Sequence, residues 1–414
     1  MDRKFWYSLV LVMLILMSFS TLRFNVGFEI RLNQIFILFT FFLIFLYDLR
    51  NKTVHLKLLL FLVGAGVILS LISLNSPFHK IGQIKFIIKY IFIFPAVFYT
   101  GARLINLIGA KYLVRAIEIA VLIYCIDAII LYFFPISTLI HYRGALTGFQ
   151  GTFWETVWLA KAVMLFFLAS ISLRLDFKIF PKNKYLLLLF YGFLLLIGII
   201  TRSKLIWLAI FLIFLYMVIA KVFFALISYK RLGKNLYIKE RIISNIQSLE
   251  IYKIIPIIVV IGIVLFIANN FILEKPIVTM EMLKYKMEAE RGKAFKVGLE
   301  LLSNSNWLGG YGFGFIQSYF TTFHDKVIGL GSGTNMLFNS YLDVWISAGI
   351  LGLLYHITLV LMSFNPKYYF TTIIPLYLFI SANISPYIGS EYYWLFLGIS
   401  FGIAHLYKGE GNLA

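Results

Sequence analysis

The chain has 414 residues, 61% of them hydrophobic and 13% charged. Soluble globular chains run near 45–50% apolar and about 25% charged, so a soluble domain is excluded and lipid must solvate most of this surface. The net charge of +19 comes from 37 Lys and Arg against 18 Asp and Glu; most of the basic residues fall between apolar runs, where they read as topology signals first and as an anionic-ligand surface second, which sets nucleic acid aside as a partner.

A bilayer core of about 30 Å takes roughly 20 apolar residues of helix. Twelve runs approach that size, at about 5–22, 33–49, 58–75, 90–108, 116–135, 154–173, 185–201, 205–228, 254–273, 343–362, 370–386 and 392–408. They are too long for strands and lack period-two alternation. The predicted fold is therefore an all-α integral membrane protein of about twelve transmembrane helices, a single polytopic domain over 1–414. The first run, Phe5 to Leu22, follows Met1-Asp2-Arg3-Lys4 and lacks a small-residue cleavage site, so it reads as a span rather than a leader. Cys125, inside an apolar run, leaves no disulfide or Cys-based metal site to expect.

With the N-terminus inside, the inside segments hold 19 Lys and Arg and the short outside loops hold 8, which predicts N-in and C-in. Two connections stand apart. The basic inside loop 229–253 reads as an anchor at anionic headgroups. The outside segment 274–342, between the ninth and tenth runs, is far longer than an ordinary loop and reads as functional and partly helical. Within the spans, Asp127 and Lys161 fall at similar depth on adjacent antiparallel helices, which predicts an ion pair. Arg103 and Glu118 are further intramembrane charges. His55, His79, His141, His356 and His405 show no metal-ligand spacing.

Residues 279–303 of the long loop read as an amphipathic helix. Met280, Leu283, Met287, Ala294, Gly298 and Leu301 share one face, and Lys286, Lys293, Lys296 and Glu300 the other. Arg291 falls near the apolar stripe, so it needs either a carboxylate such as Glu288, Glu290 or Glu155, or an anionic ligand. The segment Asn304-Ser305-Asn306-Trp307-Leu308-Gly309-Gly310-Tyr311-Gly312-Phe313-Gly314 alternates glycine with aromatic residues. That pattern allows close backbone approach and offers ring faces for sugar stacking; a turn buried against the helix bundle explains it equally well. His324-Asp325-Lys326 and the glycine-rich 329–333 follow and read as a gated stretch.

Three stretches together resemble the bacterial O-antigen polymerase and O-antigen ligase family. Arg143 with Gly151-Thr152-Phe153-Trp154-Glu155 and Ala160 looks like the family's outside "R…G-T-F-x-E" helix start, with Thr156 where a Pro is usual. Thr201-Arg202-Ser203 looks like its Arg-containing turn after an apolar run. Arg291, Trp307 to Gly314, Asn339-Ser340-Tyr341-Leu342 and Ala348-Gly349-Ile350-Leu351-Gly352-Leu353 look like its long-loop signature. The resemblance covers roughly 140–360, and the family's twelve spans and large periplasmic loop between helices 9 and 10 match the topology above. Ligases of the family carry a His before the Asn of "H-N-x-x-L"; Phe338 stands there in this chain, which points to the polymerase branch and leaves the general base open.

The resemblance implies a glycosyltransferase in the bacterial inner membrane. It would move a growing glycan from undecaprenyl pyrophosphate onto a lipid-linked repeat unit at the periplasmic face, as in surface polysaccharide and lipopolysaccharide biosynthesis. Expected partners are the undecaprenyl-pyrophosphate-linked oligosaccharides, membrane lipids and a chain-length regulator. No cofactor is expected, and no carboxylate or His cluster on the outside face suggests a metal. Arg suits a pyrophosphate leaving group because its planar fork pairs with phosphate and stays charged. Arg202 and Arg291 are the expected clamp, Glu155 the first candidate base, and His324, Asp325 and Asp343 the alternatives. Arg143, Trp307, Tyr311, His324, Asn339 and Tyr341 are expected to bind substrate. Arg202 snorkelling to headgroups, Glu155 serving only a helix dipole, and Asn339 and Tyr341 capping or packing are the plain structural alternatives. The competing functions are an O-antigen ligase and a lipid-linked oligosaccharide flippase or other transporter.

Overall fold

A computed structural model describes residues 2–19, 23–25, 29–74, 80–134, 156–181, 184–201, 291–305, 307–322, 337, 339–365, 368–385 and 387–407. The runs expected at 205–228 and 254–273, and the basic loop 229–253, lie outside the described residues.

The described chain is helical apart from one small hairpin. In order it forms α1 (Arg3–Leu16), β1 (Arg23–Asn25), β2 (Glu29–Arg31), α2 (Leu32–Arg50), α3 (Leu56–Leu74), α4 (Lys80–Ile88), a π-helical turn (Lys89–Ile93), α5 (Phe94–Ile108), α6 (Ala110–Phe133), α7 (Thr156–Asp176) and α8 (Lys184–Ile200). After the undescribed stretch come α9 (Arg291–Ser303), α10 (Phe315–Thr322), α11 (Ser340–Met362), a 3-10 turn (Phe370–Thr372), α12 (Ile373–Ile384), α13 (Glu391–Phe401) and a second π turn (Gly402–Leu406). Six of the described helical stretches are long and apolar enough to cross a membrane: Leu32–Arg50, Leu56–Leu74, Gln83–Ile108, Ala110–Phe133, Trp158–Asp176 and Ser340–Met362. The chain is accordingly a multi-pass α-helical membrane protein.

The first run departs from expectation. Its helix has 14 residues and ends at Leu16, where the Ser18 hydroxyl donates to the Ile15 carbonyl at 3.0 Å. The backbone then turns through β1 and β2, antiparallel with Phe24 opposite Ile30, and leads directly into α2. The fourth span also differs: helix begins at Lys80, ahead of the apolar run, because Gln83 is buried and Lys85 and Lys89 continue the helix into the bundle.

The core is a parallel pair, α5 and α13. Every residue of α5 except Asn106 is buried, as is every residue of α13. A helix apolar all round belongs at the centre of a bundle. The two approach closely because glycine stands wherever they cross. A Cβ on Gly101 would fall on the Leu395 carbonyl oxygen, one on Gly398 on that of Phe98, and one on Gly402 on that of Ala102. Gly398-Ile399-Ser400-Phe401-Gly402 is a small-xxx-small face of the kind that lets helices pack backbone to backbone in lipid. Phe94 and Trp394 stack at 4.6 Å just above it.

Charge pairs lock the bundle at one end, which we call the bottom. Arg103 grips Asp48 through Nε at 2.8 Å and Nη2 at 2.7 Å, and the Tyr99 hydroxyl donates to the same carboxylate at 2.7 Å. Arg174 grips Glu118 at 2.6 and 2.7 Å and also donates to the Ile179 carbonyl. Asp176 accepts from the backbone N–H groups of Phe370 and Thr371, which ties α7 to the start of α12. These forks satisfy intramembrane charges that would be costly alone.

Candidate functional site at the top of the bundle

The opposite end, the top, gathers the starts of α2, α7, α11 and α13 and the ends of α3 and α12. Its main feature is the glycine–aromatic segment Trp307–Gly314, which is spliced into α11. Gly349 breaks that helix with φ 66° and ψ −169°, a conformation open essentially to glycine alone. In an unbroken helix the Ile350 N–H would donate to the Ile346 carbonyl. Here the Ile350 N–H donates to the Trp307 carbonyl at 2.8 Å, and the freed carbonyls of Ile346 and Ser347 accept from the N–H groups of Tyr311, at 2.8 Å, and Gly312, at 2.7 Å. The backbone groups lost to the break are thus repaid by the loop, as irregular backbone within a membrane bundle requires. Gly310, at φ 65°, is pressed against the same turn, and a Cβ there would strike the Ile346 carbonyl and the Gly349 nitrogen.

From this splice the loop reaches into the bundle. The Phe313 N–H donates to the Ser73 hydroxyl at 2.6 Å, and its ring stacks on Tyr90 at 4.6 Å. Tyr90 stands in the π-helical turn, whose extra residue brings its carbonyl against Gly66 of α3. Its hydroxyl shares a 3.0 Å hydrogen bond with Nε2 of His356. His356 is fully buried among Tyr355, Tyr393 and Trp394, and its Nδ1 has no hydrogen-bond partner among the described residues.

The rim of the top combines a carboxylate, cations and rings. Glu391 accepts from Gln34 Nε2 at 2.5 Å, with the charges of Lys89 and Arg31 acting on it. Lys89 donates to the Gly389 carbonyl at 3.5 Å. Lys161, 2% exposed, sits 4.0 Å from the Trp158 ring centre and 5.2 Å from that of Tyr387. Its position in the sequence suggested a pairing with Asp127; the structure adds this aromatic seat.

The residues expected from sequence divide into two groups. Arg143, Glu155, Arg202, His324 and Asp325 lie outside the described residues, as does the Arg291 side chain, although Arg291 opens α9. In the sequence Glu155 immediately precedes α7, whose first turns carry Trp158 and Lys161, and Arg202 follows the buried Thr201. The rest are placed. Trp307 is 61% exposed. Tyr311 stacks on Phe315 at 4.2 Å. Asn339 caps α11, its Oδ1 accepting from the Leu342 N–H at 2.9 Å, while its Nδ2 donates to Asn383 at 3.3 Å. Tyr341 is buried and hydrogen-bonded to the Tyr393 hydroxyl at 3.1 Å. For Asn339 and Tyr341 these contacts are the capping and packing roles.

Sequence reasoning noted His356 only as a histidine without metal-ligand spacing and passed over Tyr90, Gln34 and Glu391. Glu391 had a usable signal, an acidic residue opening an apolar run after Ser390; His356 and Tyr90 had none, since they meet only in the folded bundle. Aromatic faces beside amide, carboxylate and ammonium groups suit a ligand with both hydroxyl and anionic character. No protein-family model and no curated protein matches this chain.

Proposed function

We propose that the chain is a surface-polysaccharide polymerase of the bacterial inner membrane, with twelve spans and both termini in the cytoplasm. It would transfer a growing glycan from a polyprenyl pyrophosphate to a sugar hydroxyl of a lipid-linked repeat unit at the periplasmic top of the bundle. In that reaction the acceptor oxygen bonds to the anomeric carbon, the bond from that carbon to the pyrophosphate oxygen breaks, and the hydroxyl proton passes to a base. Glu155 is assigned as the base and Arg202 and Arg291 as the clamp on the leaving pyrophosphate, with Arg143 beside them.

The observation that carries this reading is the splice of Trp307–Gly314 into α11 at Gly349. An elaborate ordered connection held against the top of a membrane bundle is what a reaction on a headgroup needs. A flippase, the second reading, gives no reason for it. The intramembrane charges that such a transporter would use also count against it: Arg103 and Glu118 are closed into pairs with Asp48 and Arg174.

The test uses purified protein in vesicles with a short lipid-linked repeat unit. A ladder of longer lipid-linked products is expected. Transfer only to a lipid A–core acceptor would make the chain a ligase, and movement between leaflets without new bonds would make it a transporter.

A further inference from the structure

The long loop reads as a water-exposed segment, yet its course follows a spanning helix downward. Gly298 of α9 lies against Leu342, near the start of α11, and Ala294 shares a buried cluster with Leu342 and Ile346. Further along the chain the Trp307 carbonyl meets the Ile350 N–H, and the Leu308 carbonyl lies against Gly349. The loop has therefore descended from the level of Leu342 to that of Ile350, about 12 Å at a 1.5 Å rise per residue. It then climbs back, through Tyr311 at Ile346 to Phe313 at Ser73, close to the top end of α3. This is a re-entrant elbow lying along α11.

The chemistry of the elbow changes with depth. Its charged side chains, Lys293, Lys296 and Glu300, all precede it on the descending helix and are exposed. Past Glu300 the exposed side chains are Ser303 and Asn304 at the helix end and then Trp307 and Leu308, the last 50% exposed, with Leu299 exposed one turn above. Leu351 and Leu354 of α11, exposed at and below the same level, continue the apolar surface. The hydroxyls and backbone N–H groups of the turn's described residues close locally, while the Asn304 side chain is exposed. The Ser303 hydroxyl donates to the Glu300 carbonyl and that of Ser305 to the Leu302 carbonyl, both at 2.8 Å, and the Asn304 and Ser305 N–H groups return to Glu300 and Leu302. Such local closure is what hydrocarbon demands of a turn's hydroxyls and backbone, and with the descent of about 12 Å and the apolar Trp307 and Leu308 it fits a lipid setting.

We infer that this elbow is inserted among the lipid chains of the leaflet at the top of the bundle, with Trp307 and Leu308 in contact with phospholipid acyl chains. The inference holds whichever reaction the chain performs. Its consequence is that the glycine–aromatic segment stands where a lipid's tail meets its headgroup.

The test is a nitroxide at Leu308→Cys in a Cys125→Ala background, with the full chain in phospholipid vesicles. Collision rates are measured with oxygen, which concentrates in the bilayer, and with a neutral nickel chelate, which stays in water. The expected result is high oxygen and low nickel accessibility, matching a label at Leu354→Cys and opposite to one at Lys111→Cys. High nickel accessibility would put the tip in water, and low accessibility to both would bury it against protein; either result overturns the inference. Should the labelled variant not fold, quenching of wild type against Trp307→Phe decides. Acyl-brominated lipid should quench the Trp307 emission and aqueous iodide should not; the reverse overturns the inference.

Discussion

The N–H of Ile350 donates to the carbonyl of Trp307 at 2.8 Å, across the point where Gly349 interrupts α11. One hydrogen bond thus joins the long loop to a membrane-spanning helix at the place where that helix has lost its own. The break and the loop are a single device, and neither side is satisfied without the other.

Gly349→Ala is expected to destabilise the protein through the backbone alone by about 1–3 kcal/mol, because φ 66° with ψ −169° admits no side chain. The added methyl would also fall on the Leu308 carbonyl. A thermal unfolding scan in detergent checks this; an unchanged midpoint would mean that the splice is not the stable state.

The central helix pair makes a sharper contrast. Gly398→Val should prevent assembly, since its Cβ would occupy the Phe98 carbonyl position. Gly64→Ala in α3, with nothing among the described residues within 4 Å of the new Cβ, should be neutral or more stable by up to about 1 kcal/mol. Yield and monodispersity after extraction separate the two.

At the bottom, Asp48→Leu should cost about 3–5 kcal/mol by leaving the Arg103 guanidinium buried without its carboxylate. Arg103→Met in addition should recover much of that loss. A double variant no better than the single one would contradict a closed structural pair.

Asn339 allows a capping role to be separated from a part in the reaction. Asn339→Ala should lose about 1 kcal/mol with the α11 cap, and Asn339→Asp should restore it. If product formation follows stability across the two variants, Asn339 holds the helix; if Asn339→Asp is stable and inactive, its amide meets the substrate.

What could be read in advance follows from physics. The spans were legible because lipid demands length and apolarity together, and helices such as α2, α3 and α11 begin and end within a few residues of their runs. The face of α9 was legible too: Ala294 and Gly298 are buried while Lys293, Lys296 and Glu300 are exposed. Gly349 was visible as a residue but not as a break, since an isolated glycine in an apolar run looks like ordinary close packing. The Tyr90–His356 contact and the seat of Lys161 on Trp158 and Tyr387 join distant parts of the chain, and no local pattern encodes them. The first helix misled because apolarity continues past Leu16, while the backbone turns into a hairpin.

The central claim is tested most directly by gel analysis of lipid-linked products from purified wild type, Arg202→Ala and Arg291→Ala, all three matched for thermal midpoint. The account predicts a ladder from the wild type and none from either variant. No product longer than the supplied repeat unit from the wild type, or unchanged ladders from both variants, would contradict it.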